Sequence, residues 1–312
     1  MAVGRIPIIV GPTAVGKTSA ALALSRFLKL EVISADSRQV YRRLDIGTAK
    51  PTSKEQARVL HHGIDEVEPG TRYSAGRFAQ DAVRWIETIR ARNATPVVVG
   101  GTGLYVRALA EGLFVEPPLD ATQRAAVRAW TDTLDSRELI RWATRLDQGF
   151  QDGGRQRASR AIELVLLTGK PLSHWQAVAR QEGAVEPWYV VLTIPRQTLH
   201  QRIEQRAQAM VERGLIEEVA AVLAEGHAAR SPGLDGLGIR QAVEYLHGQR
   251  SRESVAPAIA VRTRQYAKRQ ETWFRHQLRG DIVMLDAVRP PDQLADEIAT
   301  RWRREQGTNL TP

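Results

Sequence analysis

Short apolar runs recur along the chain at 6–10, 32–33, 96–99, 189–194 and 282–285, each too brief for a helix of ordinary length. Ile6-Pro-Ile-Ile-Val10, Pro96-Val-Val-Val99 and Tyr189-Val-Val-Leu-Thr-Ile194 are apolar at nearly every position, the pattern of parallel strands buried on both faces. His61-His-Gly-Ile-Asp65 reads as a further short buried strand. Between these runs the period lengthens. Ala21, Leu22, Leu24 and Leu28 share one side of a helix over 18–28, while Phe78 and Trp85, seven apart, share a core-facing stripe of a second helix reaching Ile89. Strand and helix in alternation predict an α/β fold: a P-loop NTPase-like parallel sheet flanked by helices.

The pattern changes at Glu116-Pro-Pro-Leu119. From there to Pro187 the chain is rich in Arg and Trp and holds no strand candidate, with helical spacing at Val127, Trp130 and Leu134 and again at Leu139, Trp142 and Leu146. We read 116–187 as a helical insertion domain, and 1–115 with 188–312 as the core and its C-terminal helices. Residues 196–223 read as one long helix packed through Leu199, Ile203, Met210, Val219 and Leu223. At about 100° per residue, Arg202, Arg206 and Arg213 fall within about 40° of each other and form a cationic ridge. In a helix over 250–279, Arg264, Lys268, Arg275 and Arg279 form another, with Ile259, Tyr266 and Trp273 left for packing or stacking. Arg301 onward reads as a frayed tail.

Composition adds a partner. The chain has 312 residues, 43% of them hydrophobic, enough for a substantial core. Its 44 Lys and Arg against 35 Asp and Glu give a net charge of +9, which suits a polyanion such as nucleic acid. With no cysteine, disulfides, thiol catalysis and Cys-ligated zinc are all excluded. No apolar run is long enough to span a membrane and none at the N-terminus resembles a signal peptide, so a cytoplasmic protein is expected. Nothing demands a dimer, and a monomer is expected.

Candidate chemistry sits where strands end. Gly11-Pro-Thr-Ala-Val-Gly-Lys-Thr18 satisfies G-x-x-x-x-G-K-[ST] directly after the first strand. Backbone N–H groups of such a loop cradle phosphate, Lys17 adds a positive charge, and the Thr18 hydroxyl is placed to ligate Mg²⁺. The cradle residues are then Gly11, Thr13, Ala14, Val15, Gly16, Lys17 and Thr18. NTPases, kinases and enzymes that expel pyrophosphate could all use them. The second strand ends at Asp36, which puts a carboxylate beside the loop, followed by Ser37, Arg38 and Gln39. A third strand ends in Gly100-Gly-Thr-Gly103, whose Thr102 adds a hydroxyl opposite the first cradle. No acid ends this strand in the Walker-B manner, which argues against an ordinary ATPase. Lys50 is either a phosphate contact or a surface lysine.

Taken in order, Gly11–Thr18, Ser34-Ala-Asp-Ser-Arg-Gln-Val-Tyr41, Asp45-Ile-Gly-Thr-Ala-Lys-Pro51, Gly100-Gly-Thr-Gly-Leu-Tyr105, Arg206 with Met210 and Gly214-Leu-Ile-Glu-Glu-Val219, and Lys268-Arg-Gln-Glu-Thr-Trp-Phe-Arg275 resemble the tRNA dimethylallyltransferases from about residue 5 to 286. That resemblance implies transfer of the dimethylallyl group of dimethylallyl diphosphate to N6 of adenosine 37 in tRNA, next to the anticodon, with Mg²⁺ present. It implies that Asp36 is the general base, that Thr102 and Arg206 join the loop in neutralising the diphosphate, and that the P-loop is a phosphate site of the nucleotide-binding, ATP-binding kind. By the same resemblance, tRNA contacts fall on Asp36, Ser37, Arg38, Gln39, Gln156, Arg157, Arg160, Gly238, Arg240, Lys268, Arg269 and Arg275. Departures from the usual pattern are Arg38 where Met is common, Gly238-Ile-Arg-Gln241 where Gly-Tyr-Arg-Gln is usual, and His62-Gly63 where a bulkier apolar residue stands. The alternatives are an isopentenyltransferase acting on free adenine nucleotides, a P-loop kinase of a small molecule, and a nucleotide-gated RNA-binding protein.

Overall fold

The computed structural model describes residues 4–114, 116–151, 153–179 and 182–308. The chain divides into two compact units, Met1–Ala110 with Ala184–Pro312, and Glu111–Gly183. In the first, strand β1 (Arg5–Val10) leads through the glycine loop into helix α1 (Lys17–Leu24), and β2 (Leu30–Ser34) follows. Helix α2 (Ser53–Arg58), the two-residue β3 (His61–His62), α3 (Ala75–Ala91), β4 (Thr95–Gly100) and α4 (Gly103–Ala110) complete its N-terminal half.

The second unit contains α5 (Ala121–Thr133), α6 (Ser136–Leu146), α7 (Gly154–Thr168) and α8 (Leu172–Val178). Its core is Leu139, Ala143, Ala158, Ala161, Ile162, Leu164 and Leu172. Trp130 and Trp142, which carry the helical spacing of α5 and α6, are 38% and 41% exposed and meet edge to face on the surface. The interior is filled instead by Leu139, Ile162, Leu164 and Leu172 packed against the alanines of α6 and α7.

Returning to the first unit, the chain forms β5 (Glu186–Thr193), α9 (Arg196–Glu212), α10 (Leu215–Ala224), α11 (Ile239–Leu246), α12 (Arg252–Gln277), β6 (Asp281–Asp286) and α13 (Pro291–Thr308). All strand pairings are parallel, in the order β3-β2-β4-β1-β5-β6. Ile6, Ile8 and Ile9 of β1, together with Val97 and Val98 of β4, are completely buried, as the unbroken apolar runs require. The C-terminal ends of β1, β2 and β4 therefore lie side by side, and the loops leaving them meet over one edge of the sheet.

Three sequence expectations change. The long helix over 196–223 breaks at Gly214, whose φ of 97° no α-helix accommodates, so Arg213 caps α9 rather than continuing a ridge. The first helix ends at Leu24 instead of Leu28. The expected frayed tail is helical through Thr308, anchored by Trp302, which is 3% exposed with its ring 5.5 Å from that of Trp188.

The break at Gly214 has a use. It starts α10 so that Glu218, in its first turn, accepts the backbone N–H groups of Asp45, Ile46 and Gly47 at 2.7, 2.7 and 2.8 Å. Replacing Glu218 by Ala leaves those donors without a partner, and we expect a loss of about 2 kcal/mol, visible as a lower Tm in calorimetry. Lys50 closes the same loop from beneath, its amine bonded to Tyr41 O, Asp45 and Asp65 with the side chain 2% exposed. It is neither a surface lysine nor a phosphate contact.

Candidate active site

The loop after β1 has the backbone that its glycines permit, with Gly11 at φ 150° and Gly16 at φ 110°. At rest, Lys17 Nζ donates to the carbonyls of Gly11 and Pro12 at 2.9 and 2.8 Å, spanning the loop where a phosphate would lie. Burial pushes its pKa down to about 7, the charge of Asp36 pulls it up, and Arg206 lowers it further. The amine is thus poised to lose its proton near neutrality unless an anion arrives.

Lys17, Thr18 and Asp36 line one cavity with Ala21, Ser34 and Gly100, so the loop, the end of β2 and the end of β4 share a pocket. Asp36 Oδ1 accepts the Arg38 N–H at 2.9 Å, which fixes the turn and the direction of the carboxylate. Thr102 stands next to it. The Ser37 N–H donates to Thr102 Oγ1 at 3.0 Å, and Thr102 N–H donates to Ala35 O at 3.1 Å. The β4 turn can come this close only because Gly100 lacks a side chain; a Cβ there would lie 2.1 Å from Ala35 O.

Arg206 reaches the same place from α9. Surrounding protein lowers its pKa and Asp36 opposes that shift, although the side chain is exposed by surface area, as expected for a guanidinium standing in an open cleft. Two groups that sequence reasoning had placed elsewhere also belong here. Tyr266, close to Thr102, is pushed up to about 12 by burial and by the charge of Asp36, so it stays a neutral phenol. Arg202, assigned to a cationic ridge, instead supports the loop, its guanidinium donating to Val15 O at 3.0 Å and Ala287 O at 3.3 Å.

The pocket suits a magnesium diphosphate. Thr18 offers a hydroxyl oxygen, a hard donor of the kind Mg²⁺ prefers, and the Asp36 carboxylate adds negative charge to the same cavity. No cluster of three or more His, Cys, Asp or Glu exists among the described residues, so the ion would take its remaining ligands from phosphate oxygens and water.

Comparison with known proteins fits this geometry. A family model described as IPP transferase matches residues 39–277, and one described as isopentenyl transferase matches 4–62. The chain belongs to the IPP transferase family. Among its relatives is a tRNA dimethylallyltransferase of Halorhodospira halophila, 43% identical over 279 residues that span 87% of this chain and 90% of that one. The tRNA isopentenylpyrophosphate transferase of Bacillus halodurans shares 32% identity and the fold, with a TM-score of 0.72 over 98% of both chains. A eukaryotic dimethylallyltransferase described as acting on tRNA superposes with a TM-score of 0.80 at 26% identity, over 99% of this chain and 80% of that one.

In this IPP transferase the residues matched to tRNA contacts fall into two groups. Lys268, Arg269 and Arg275 are exposed on α12, and Arg240 is exposed at the start of α11, following Gly238. In the second unit Gln156 and Arg157 are exposed on α7. Lys268, Arg275, Gln156 and Arg157 face solvent, whereas Arg240 lies 3.8 Å from both Asp235 and Glu244 and Arg269 stands over the Tyr266 ring. Others are engaged internally. Arg160 pairs with Glu116 and with Glu163, a carboxylate 2% exposed that Arg128 also holds at 2.7 Å, so its first task is to neutralise a buried charge. Arg264 pairs with Glu204, and Arg279 lies beyond the end of α12, which reduces the predicted ridge.

The stretch after Asp36 is likewise drawn inward. Gln39 accepts from Ser34 Oγ at 2.7 Å and donates to Ala49 O at 3.2 Å, so its amide holds the loop rather than reading a base. Arg38 donates to Pro232 O at 2.8 Å and lies 4.0 Å from Asp235, tying the acid-bearing turn to the one before α11. Ile239, where an aromatic is usual, is completely buried against Gly47 and is a core residue. Thr13, counted among the cradle donors, has its N–H taken by Gln270 Oε1 at 2.8 Å.

Sequence reading missed Gln270. Its signal was a polar residue at the i+4 position from Tyr266 on the apolar stripe of a basic helix, where nothing in the pattern calls for an amide.

Proposed function

We propose that this chain transfers the dimethylallyl group from dimethylallyl diphosphate to N6 of adenosine 37 in tRNA, releasing diphosphate. The observation that carries the reading is the shared pocket of Lys17, Thr18 and Asp36, with Thr102 and Arg206 at its edge. The bond from the allylic carbon to the bridging oxygen breaks as the N6–carbon bond forms, and negative charge grows on the diphosphate. Loop amides, Lys17, Thr102 and Arg206 oppose that charge. Mg²⁺, when bound at Thr18, supplies further neutralisation of the leaving group. The attacking exocyclic amine must lose a proton, and Asp36 is placed to accept it. An exocyclic amine is a weak nucleophile, so holding it against the allylic carbon is a large part of the task. The target base has to leave the anticodon-loop stack to enter such a pocket.

Unmodified tRNA incubated with the chain, dimethylallyl diphosphate and Mg²⁺ and then digested to nucleosides tests this by mass: N6-dimethylallyladenosine supports it. Prenylated free adenine nucleotide with untouched tRNA favours the small-acceptor alternative instead. The exposed Lys268, Arg269 and Arg275 favour the RNA acceptor, because a free nucleotide needs no basic helix.

The Lys17 pKa sets a pH dependence. In the folded chain the amine titrates near 7, and in the unfolded chain at the ordinary lysine value of 10.5. Between those values the unfolded state holds more protons, so this group's contribution to stability rises with pH across that window. A bound diphosphate restores the charge, so binding takes up a proton. We expect affinity for the allylic diphosphate to weaken above pH 7 by up to about tenfold per unit, with proton uptake seen by calorimetry in buffers of differing ionisation heat.

A further inference from the structure

Helix α12 touches both glycine turns of the site along a single stripe. Tyr266 stands beside Thr102, and Trp273 lies so close to Gly103 that a Cβ there would come within 2.4 Å of its ring. Between them is Gln270, 6% exposed. Its Oε1 accepts the Thr13 N–H of the first turn at 2.8 Å, and its Nε2 donates to the Gly101 carbonyl of the second, also at 2.8 Å. A primary amide presents an acceptor and a donor from one plane, which is what a backbone N–H on one side and a carbonyl on the other require. A carboxylate would face the Gly101 carbonyl with no proton to give. Positions 266, 270 and 273 make one face of the helix, Lys268 and Arg275 stand exposed on the opposite face, and Arg269 flanks the stripe with its guanidinium 5.7 Å from the Tyr266 ring centroid.

We propose that Gln270 is a positioning residue that sets the spacing of the two diphosphate-facing turns and makes it depend on where α12 sits. RNA docking on the basic side of α12 and diphosphate binding in the cradle are then coupled, and by linkage each strengthens the other equally. The inference rests on the proposed function for the identity of the two ligands. The mechanism is steric and specific: the amide holds the turns at the distance one diphosphate spans, and without it the first turn keeps a free N–H and the second an unpaired carbonyl.

The test measures binding of inorganic diphosphate with Mg²⁺ by calorimetry, with and without an unmodified anticodon stem-loop RNA. In the unaltered chain RNA should tighten diphosphate at least about 5-fold, the lower end of ordinary coupling. Gln270→Ala should reduce that factor below about 2-fold and weaken diphosphate alone by roughly 10-fold, while RNA alone changes little. A second variant approaches from the other side. A Cβ at Gly101 would come within 2.3 Å of Gln270 Nε2, so Gly101→Ala should displace the amide and reproduce the loss, yet add less than about 2-fold on top of Gln270→Ala.

Additive effects, an unchanged coupling factor in Gln270→Ala, or no coupling in the unaltered chain overturns the proposal. Should Gln270→Ala lose its cooperative melt, Gln270→Met, close to it in volume, carries the same measurements. Failure of prenyl transfer in the nucleoside assay, with this coupling intact, would count against the acceptor or donor assignment and not against Gln270.

Discussion

Replacing Asp36 by Asn lowers kcat for prenyl transfer by about 10²- to 10⁴-fold, the usual worth of a positioned general base, and leaves tRNA affinity within about twofold. The substitution is informative because of how Asp36 is held. Its Oδ1 accepts the Arg38 N–H, an interaction that an amide oxygen preserves, so the turn and the entry to the pocket stay as they are. It is also the one carboxylate among the described residues that line the cavity, so no neighbouring acid can take over the proton. Single-turnover kinetics with preformed complex isolate the chemical step. A variant whose single-turnover rate stays within threefold of the unaltered chain would place the base elsewhere.

Arg206→Gln is the second large effect. The guanidinium stands in the open cleft near Asp36 and Lys17, where its charge faces the position of the departing diphosphate. Removing one such charge-stabilising group costs about 10²- to 10³-fold in kcat. Arg202, four residues earlier, is the natural control. It bonds Val15 O and Ala287 O, so its loss should lower Tm and disturb the loop, whereas Arg206→Gln should melt like the unaltered chain. Equal Tm losses for the two would mean that Arg206 is structural. Arg206→Lys should recover part of the rate, since a point charge replaces the fork without its geometry.

Much of this site was legible in the order of residues. G-x-x-x-x-G-K-[ST] after an apolar run admits few structures, because the glycines, the lysine and the following helix each have a separate physical requirement. Asp36 and the Gly100–Gly103 turn were legible for a related reason: each ends an apolar strand, and in a parallel sheet those ends converge. The second unit was visible as a loss of strand pattern between two strand-rich stretches.

Less legible was the choice among charged residues. Lys50, Arg160, Arg202 and Arg206 look alike in sequence, yet one closes a loop, one neutralises a buried Glu163, one braces the phosphate loop and one stands in the cleft. Periodicity reports which face of a helix a residue occupies, but not what lies opposite. Trp130 and Trp142 show the same limit: they share the helical spacing of their elements, yet Leu139, Ile162, Leu164 and Leu172 form the core and the two indoles stay on the surface.

By itself, then, the order of residues determined the local pieces: buried strands, a phosphate-binding turn, an acid at a strand end, a basic helix. Only the tertiary structure decided which polar groups remain available to a substrate, because that depends on partners hundreds of residues away. Gln270 is the clearest case. Nothing near it in sequence explains an amide on an apolar stripe, and its reason appears only when α12 lies across two turns whose unpaired N–H and C=O it joins.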